Sequence, residues 1–372
     1  MIAISGGGIA GLAAAIAVTE AGHKALLIAK KTNSLGMRGG IQIAPNGWAS
    51  MVELGVDNLA RNFATNLSKI TVRDLLSGAT LASVSPNGSY SSFLRYELAA
   101  LLQAKLKKNK KYEHCEGHVV DVVNRGEQLK ILLQDGKTIE AKALVAADGV
   151  DGFGRSYVIG KHFNKKPRAT SRVIMRTVIN VSSEELPALA TQAASNLWLG
   201  NGAHVVHYPL KCGKLINLVV TFNAAFVESN WKQMILGHNE VLNYFTSLSK
   251  AQWVKTTIPS ATFDPCWRRG NVVLIGDAAH PMPPNLAQGV GQGLADAACL
   301  FHCLNEHNSI ADAISKYVNE RSQAVNKVLK KAEVTSKVMA MNGISANLRN
   351  LALSMGGGTM IKSWLSEVWF QS

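Results

Sequence analysis

An α/β fold built around a Rossmann-like βαβ unit is what the sequence predicts, and three short apolar runs carry the prediction. Met1 to Ser5 runs straight into Gly6-Gly7-Gly8-Ile9-Ala10-Gly11, Leu144 to Ala147 into Asp148-Gly149, and Val272 to Ile275 into Gly276-Asp277. Apolar runs of this length that stop at glycine read as buried strands with bare backbone at their ends. Further strand-like segments between residues 171 and 263 predict a β-sheet interleaved with the first domain, and the chain closes on helical sequence.

The N-terminal unit is the clearest element. Leu12 to Glu20 is rich in Ala and Leu and reads as a helix ended by Ala21-Gly22, with a second apolar strand from Lys24 to Ala29. GxGxxG in the first turn of such a unit is a dinucleotide fingerprint: Gly6 turns the chain, Gly8 lets a pyrophosphate approach, and Gly11 allows close helix–strand packing. An acid normally ends the second strand and takes the ribose hydroxyls. Here the position is Ala29, followed by Lys30 and Lys31.

The segment from Asn271 to Leu300 offers the complementary half of a binding site. After the strand come Gly276-Asp277 and three prolines, Pro281, Pro283 and Pro284, which favour an extended turn. Gln288-Gly289-Val290-Gly291-Gln292-Gly293 then opens a helix. Glycines at a helix start let a ligand reach bare N–H groups, and the helix dipole favours negative charge there.

Between these landmarks, Leu35 to Ile43 reads as a glycine-rich loop carrying Arg38, and Asn46 to Leu54 as a helix. Ser92 to Leu106 reads as a helix with Arg95 near its start, and Gly117 to Val145 as three short strands. Arg172 to Val181, Asn196 to Leu210, Lys214 to Phe222 and Ala251 to Phe263 are sheet candidates. In a strand, His204 and Tyr208 point to one face and His207 to the other. Ile310 to Lys337 reads as a long basic amphipathic helix, and three glycines within Met355 to Thr359 are expected to break the helical run. Met360 to Phe370 then forms a short amphipathic tail that closes the core.

Composition excludes several classes. With 372 residues, 47% hydrophobic and 17% charged, the chain is neither disordered nor fibrous. The formal net charge of +14 suits a lysine-rich surface, an anionic substrate, a dinucleotide or an acidic membrane surface. No nucleic-acid module accompanies it. The five cysteines form no CxxC and have no zinc-site partners, so a reducing, cytoplasmic setting is expected. No window is apolar enough to span a bilayer, which leaves peripheral membrane contact open.

The ordered motifs GGGIAG, AADG and IGDAAH, with Arg95 between the first two, resemble the FAD-dependent aromatic-ring monooxygenases of the p-hydroxybenzoate hydroxylase fold. The stretches GGIQIAPNG (39–47), LWLGNGAHVVHYPLKCGKLINLV (197–219) and HPMPPNLAQGVGQGLADA (280–297) are most similar to the salicylate-hydroxylase-like branch. The resemblance implies FAD, with NADH or NADPH and dioxygen as co-substrates, and hydroxylation of a small aromatic ring through a flavin hydroperoxide. It places Gly6, Gly8 and Gly11 at the FAD pyrophosphate and Arg38 and Arg95 along the cofactor. Asp148 is implied near the pyrophosphate, and Gly276 and Asp277 at the ribityl chain. Gln288, Gly289, Val290 and Gly291 are implied beside the flavin pyrimidine ring. Relatives use a His and a Tyr where His204 and Tyr208 stand, so these are the catalytic candidates, His204 as a base. His280 and Pro284 are candidates for supporting or ring-edge positions. The chain departs from the family at Ala29 and in having Gly152 and Gly154 behind Asp148.

The expected division puts 1–75, 92–170 and 264–330 in the FAD-binding domain, 76–91 and 171–263 in the substrate sheet, and 331–372 in a C-terminal helical segment, as monomer or homodimer. Two other functions stay open on sequence: a quinone-pathway ring hydroxylase at the membrane surface, and a flavin-binding relative without turnover.

Overall fold

The computed structural model describes residues 1–30, 39–160, 169–181, 188–224, 231–233, 235–236, 239–247, 252–259 and 264–370. Its first sheet has six strands in the order Arg268–Arg269, Val272–Leu274, Ala143–Ala146, Ile2–Ser5, Ala25–Ala29 and Tyr112–Glu116. All pair in parallel except Arg268–Arg269, which runs antiparallel at one edge. Parallel sheets need cover on both faces. Every residue of Ile2–Ser5, Ala25–Ala29 and Ala143–Ala146 is accordingly buried, and helix Ile9–Glu20 packs on the sheet. Because Ile2–Ser5, Ala143–Ala146 and Val272–Leu274 are adjacent and parallel, their C-terminal ends meet at one edge. That adjacency brings GGGIAG, AADG and IGDAAH together, at the kind of strand-end crevice where open α/β sheets bind ligands.

A second sheet has seven strands: Val254–Pro259, Ala169–Asn180, Leu215–Asn223, His204–Leu210, Ala194–Leu199, Lys69–Asp74 and Thr80–Val84. It reaches back beyond residue 76, since Lys69–Asp74 pairs in parallel with Ala194–Leu199. Alternation gives it two faces of different character. Trp198, Val205, Leu218, Val220 and Phe222 enter one core with Phe245, while Leu197, Val206, Tyr208 and Val219 face the other way.

Some local expectations yield to tertiary pairing. Ser91–Leu94 is a strand, antiparallel to Gly40–Ile43, and the helix begins only at Arg95. The glycines at 356–358 do not break the last helix, which runs unbroken from Gly343 to Trp369. Gly357 is where that helix presses onto strand Thr80–Val84: a Cβ there would lie 2.9 Å from the Cβ of Ala82. The long helix Ile310–Met339 runs through residue 331, where the C-terminal segment was expected to start.

A buried polar cluster holds the helices to the strand ends. Asp296, on helix Gly289–Glu306, accepts from the Gly276 N–H at 2.9 Å and from Arg321 Nε at 2.8 Å. His280 Nε2 lies 2.6 Å from the same carboxylate. Arg321, on the long helix, also donates to Gln292 Oε1 at 2.7 Å, and Gln292 Nε2 donates to Gln288 Oε1 at 3.0 Å. Burial alone would raise the Asp296 carboxyl, but His280 and Arg321, with hydrogen bonds from His280 and Gly276, bring it down from 3.8 to about 2.

Two outcomes test this architecture. A Cβ on Gly11 would stand 1.9 Å from the Gly6 carbonyl oxygen, a backbone atom that cannot step aside. Gly11→Ala should therefore cost about 1–3 kcal/mol or more in urea unfolding; an unchanged midpoint would contradict the packing. A depressed carboxylate contributes stability above its unfolded value and loses it as pH falls through its folded value. Asp296 should thus stabilise fully above about pH 4 and lose its contribution on the way down to about pH 2. Asp296→Asn should flatten that acid limb and, by leaving Arg321 buried without its charge, cost about 3–5 kcal/mol at neutral pH.

Candidate functional site

A cavity of about 940 Å³ opens between the strand-end turns of the first sheet, one face of the second sheet and the two C-terminal helices. At its first wall, Gly6 takes φ +107° in the turn after the first strand, with Ala147 so close that a Cβ on Gly6 would lie 2.3 Å from its carbonyl oxygen. A Cβ on Gly8 would meet nothing within 4 Å, so this backbone faces open space in a turn whose neighbours are tightly packed. Gly276, Gly289, Val290 and Gly293 line the same wall, at the start of an 18-residue helix whose first N–H groups have no intrahelical acceptor. Arg95 brings a cation to this wall, and Asp277 an exposed carboxylate. A bare glycine turn, a helix N-terminus and an arginine suit a pyrophosphate, and a carboxylate suits sugar hydroxyls. These residues fit FAD. Ala29, at the expected ribose position, is buried, and a Cβ on Gly7 would come within 2.9 Å of its side chain.

The departures behind Asp148 have a packing cause. Asp148 Oδ2 accepts from the Gly154 N–H at 2.9 Å. Cβ atoms on Gly152 and Gly154 would lie 2.2 Å from the Asp148 carboxyl and 2.1 Å from the Ala146 side chain. The glycines therefore let this loop close tightly while Asp148 still lines the cavity. Arg155, buried behind it, donates to the carbonyls of Ala278 and Ala279 at 2.7 and 3.1 Å and so ties the second motif to the third.

The sheet face supplies the second wall. His204 and Tyr208 both line the cavity, as strand alternation requires, while His207 points into the opposite core and accepts from Trp198 Nε1 at 2.9 Å. Four residues along a strand are about 13 Å, so His204 and Tyr208 address opposite ends of a bound molecule rather than one hydroxyl. Tyr208 is buried, which raises its phenol; Arg95, Arg176 and a hydrogen bond with Asn217 act against that rise. His204 is also buried, and burial with the charges of Arg172 and Arg349 lowers it to about 3. Arg172 lies 3.2 Å from His204 Nδ1 and can only donate, so it fixes Nδ1 as the acceptor and leaves the ring proton on Nε2. A proton-accepting role at neutral pH does not fit a ring held this way.

Several cavity residues had no role in the motif reading. Tyr90 donates to Gln42 Oε1 at 2.8 Å and Gln42 Nε2 to Ser195 Oγ at 2.7 Å, giving a polar string along the wall. Arg176 has no carboxylate partner among the described residues; it donates to Thr256 at 3.2 Å and faces the cavity. Period-two alternation along Ala169–Asn180 was the signal that could have found it. Trp364 and Trp369 close the cavity from the last helix.

Other sequence candidates sit around the site rather than in it. Gly11 serves the helix–strand contact already described. Gln288 is buried and accepts from Asn46 at 2.7 Å, which links helix Pro45–Glu53 to the glycine-rich start. Gly291 packs near Asn46 and Gln288. His280 is buried on Asp296, whereas Pro284 does line the cavity, and its neighbour Asn285 donates to Ser336 of the long helix. Arg38 lies outside the described residues.

Comparisons with known proteins agree with this geometry. A family model described as an FAD binding domain matches residues 1–332. 3-Hydroxybenzoate 6-hydroxylase 1 of Aquipseudomonas alcaligenes is 30% identical over 377 residues, covering 96% of this chain and 94% of that protein. The 3-hydroxybenzoate 6-hydroxylase of Klebsiella oxytoca is 28% identical, covering 94% of this chain and 91% of that protein. Among solved structures, Klebsiella pneumoniae HpxO complexed with FAD and uric acid superposes with a TM-score of 0.85 at 20% identity, over 99% of this chain and 96% of that one. A salicylate hydroxylase substrate complex does so with a TM-score of 0.78 at 22% identity, over 99% and 96%. With the family model spanning most of its length and hydroxylase relatives spanning nearly all of it, the chain belongs to the FAD-dependent aromatic-ring monooxygenases.

Proposed function

We propose that this protein uses NADH or NADPH and dioxygen to hydroxylate a small, anionic phenolic or heteroaromatic ring, of the hydroxybenzoate kind on which its relatives act. The observation that carries this is the pairing of two polar ends across one cavity: Tyr208 with the Arg176 guanidinium at one end, and His204, backed by Arg172, at the other. A ring bearing an ionised oxygen at one edge and a carboxylate at another presents an anion to each end.

FAD, when bound, supplies the oxygen chemistry. Gly6, Gly8 and Arg95 would hold its pyrophosphate, Asp277 its ribityl chain, and the N–H groups from Gly289 the negative edge of its reduced ring. The substrate's own activation falls to the sheet face. An electron-rich phenolate reacts best, and the surrounding guanidinium groups favour the ionised form of a bound ring hydroxyl. His204 presents its Nε2 proton to a ring oxygen and stabilises the anion by donation, replacing the base role expected from sequence. Tyr208 remains un-ionised and orients the other end. Apolar side chains around the ring exclude water.

The outer face of the last helix gives the membrane-surface reading its one supporting observation. Ile344, Leu348, Leu351 and Met355 recur on one side of that helix and are each more than half exposed. Among the described residues no helix is long and apolar enough to cross a membrane.

With FAD loaded, His204→Ala and Tyr208→Phe should each retain flavin. His204→Ala should cut substrate-stimulated NAD(P)H oxidation about 10²–10³-fold, the range for loss of one oxyanion donor. Since His204 is lowered to about 3, it stays neutral from pH 5 to 9, and the kcat/KM profile should follow the ring hydroxyl with no histidine limb near pH 6.5. A limb there that vanishes in His204→Ala would restore the base role. Full flavin loading with no NAD(P)H oxidation across hydroxybenzoates, hydroxypyridines and simple phenols would instead favour a relative without turnover. In sedimentation with phosphatidylserine-containing liposomes, the protein should stay in the supernatant; a pellet lost in Leu348→Ser/Leu351→Ser would support the membrane-surface reading.

A further inference from the structure

The cavity is more than a socket for a small phenolic acid, because its polarity is graded along the sheet. Strand register divides the exposed face into layers. Tyr208 pairs with Asn217, Val206 with Val219, and His204 with Thr221; on the other side Leu197 pairs with Val206 and Leu199 with His204, while Val72 pairs with Leu197. The Tyr208 layer is therefore polar, with Gln42, Tyr90 and Ser195 beside it, and the next layer is aliphatic across four strands and ends on the fifth at Arg176. The facing wall is apolar too. Val338 and Met339 from the long helix, and Leu353, Ile361 and Trp364 from the last one, line the cavity opposite these strands.

This apolar section reaches the surface. Val334 is 46% exposed and Met360 58% exposed, yet both line the cavity, so they stand at a mouth between the two C-terminal helices. A concave apolar surface open to solvent at one end is what a protein keeps for an apolar ligand. The ring and its polar substituents are provided for by the poles described above, and the strand-end turns are provided for by FAD. Direct packing closes part of the aliphatic seam, where Val72 and Leu199 cluster with Met339, but neither ligand accounts for the part that lines the cavity.

We infer that the substrate of this chain is a ring acid bearing an apolar substituent, which lies on the sheet face at Leu197 and Val206, is flanked by Val338 and Trp364 from the helices and points to the mouth at Val334 and Met360. The inference rests on the hydroxylase reading and narrows its substrate class. It also assigns the last two helices a role in specificity: they form the chain-binding side of the cavity.

The test measures binding and turnover separately. FAD-loaded protein is titrated with 3-hydroxybenzoate and with its propyl, pentyl and heptyl ring-substituted forms, following the change in the flavin absorption spectrum, and NAD(P)H oxidation is then recorded with each. Burial of methylenes should lower Kd about fourfold for each one added until the chain reaches the mouth. Val338→Trp, which narrows the strip, should collapse the ratio of unsubstituted to heptyl Kd towards one. Met360→Lys, at the exposed mouth where folding is least at risk, should raise Kd for the heptyl form more than for the propyl form and so lower that ratio. Equal Kd across the series, or a ratio unmoved by both substitutions, overturns the inference while leaving a small-ring hydroxylase intact. Chain-length-dependent binding with no NAD(P)H oxidation in this series or across the hydroxypyridines and phenols named above would sink the hydroxylase reading and keep the pocket assignment.

Discussion

The buried carboxylate of Asp296 is the interaction on which the site depends. It receives the backbone of Gly276, the ring of His280 and the guanidinium of Arg321, which belong to a strand-end turn, the segment after it and a distant helix. A charge in such a place is tolerated only when its partners satisfy it closely. Satisfying it fixes the turn that carries Asp277, and through Arg321, Gln292 and Gln288 it fixes the glycine-rich helix start. Gln288, expected beside the flavin ring, thus works from behind the cavity wall together with His280, whose expected place was a supporting one.

Around that anchor, the two sheets divide the work by their pairing. The parallel sheet leaves its strand ends bare, so its contribution to the cavity is backbone: glycines, N–H groups and a few charges. The mostly antiparallel sheet contributes a side-chain face, whose alternate residues present histidine, tyrosine and aliphatic groups in register. A cofactor with a charged, hydrogen-bonding spine suits the first wall and an aromatic substrate the second. The third wall, from the C-terminal helices, is held by small contacts such as Gly357 on Ala82 and Asn285 to Ser336. These bring Trp364 and Trp369 over the cavity.

His204 shows how tertiary charge alters a role that strand position suggests. Its face and its neighbour Tyr208 follow from a period of two, which any strand obeys. Its neutral state follows first from burial, and the placing of its ring proton on Nε2 from Arg172, a residue 32 positions earlier whose proximity only the sheet creates. The same applies to Gly152 and Gly154, which look like a degraded motif in sequence and prove to be the space that Asp148 and Ala146 require.

What the sequence determined by itself was local and periodic. The strand–glycine–helix start from Ile2 to Glu20, the order of the three glycine-bearing strand ends and the facing of His204 against His207 all depend on neighbours within a few residues. Tertiary structure alone decided which distant groups meet. Asp296 with Arg321, Arg176 turned into the cavity without a carboxylate partner among the described residues, and the aliphatic strip under the last helix each join segments far apart in the chain. The strand at Ser91–Leu94 and the unbroken helix through Gly356–Gly358 were decided the same way. Hydrogen bonding to Gly40–Ile43 and burial against Ala82 outweigh local preferences worth about 1 kcal/mol per residue, and no window of sequence contains both partners.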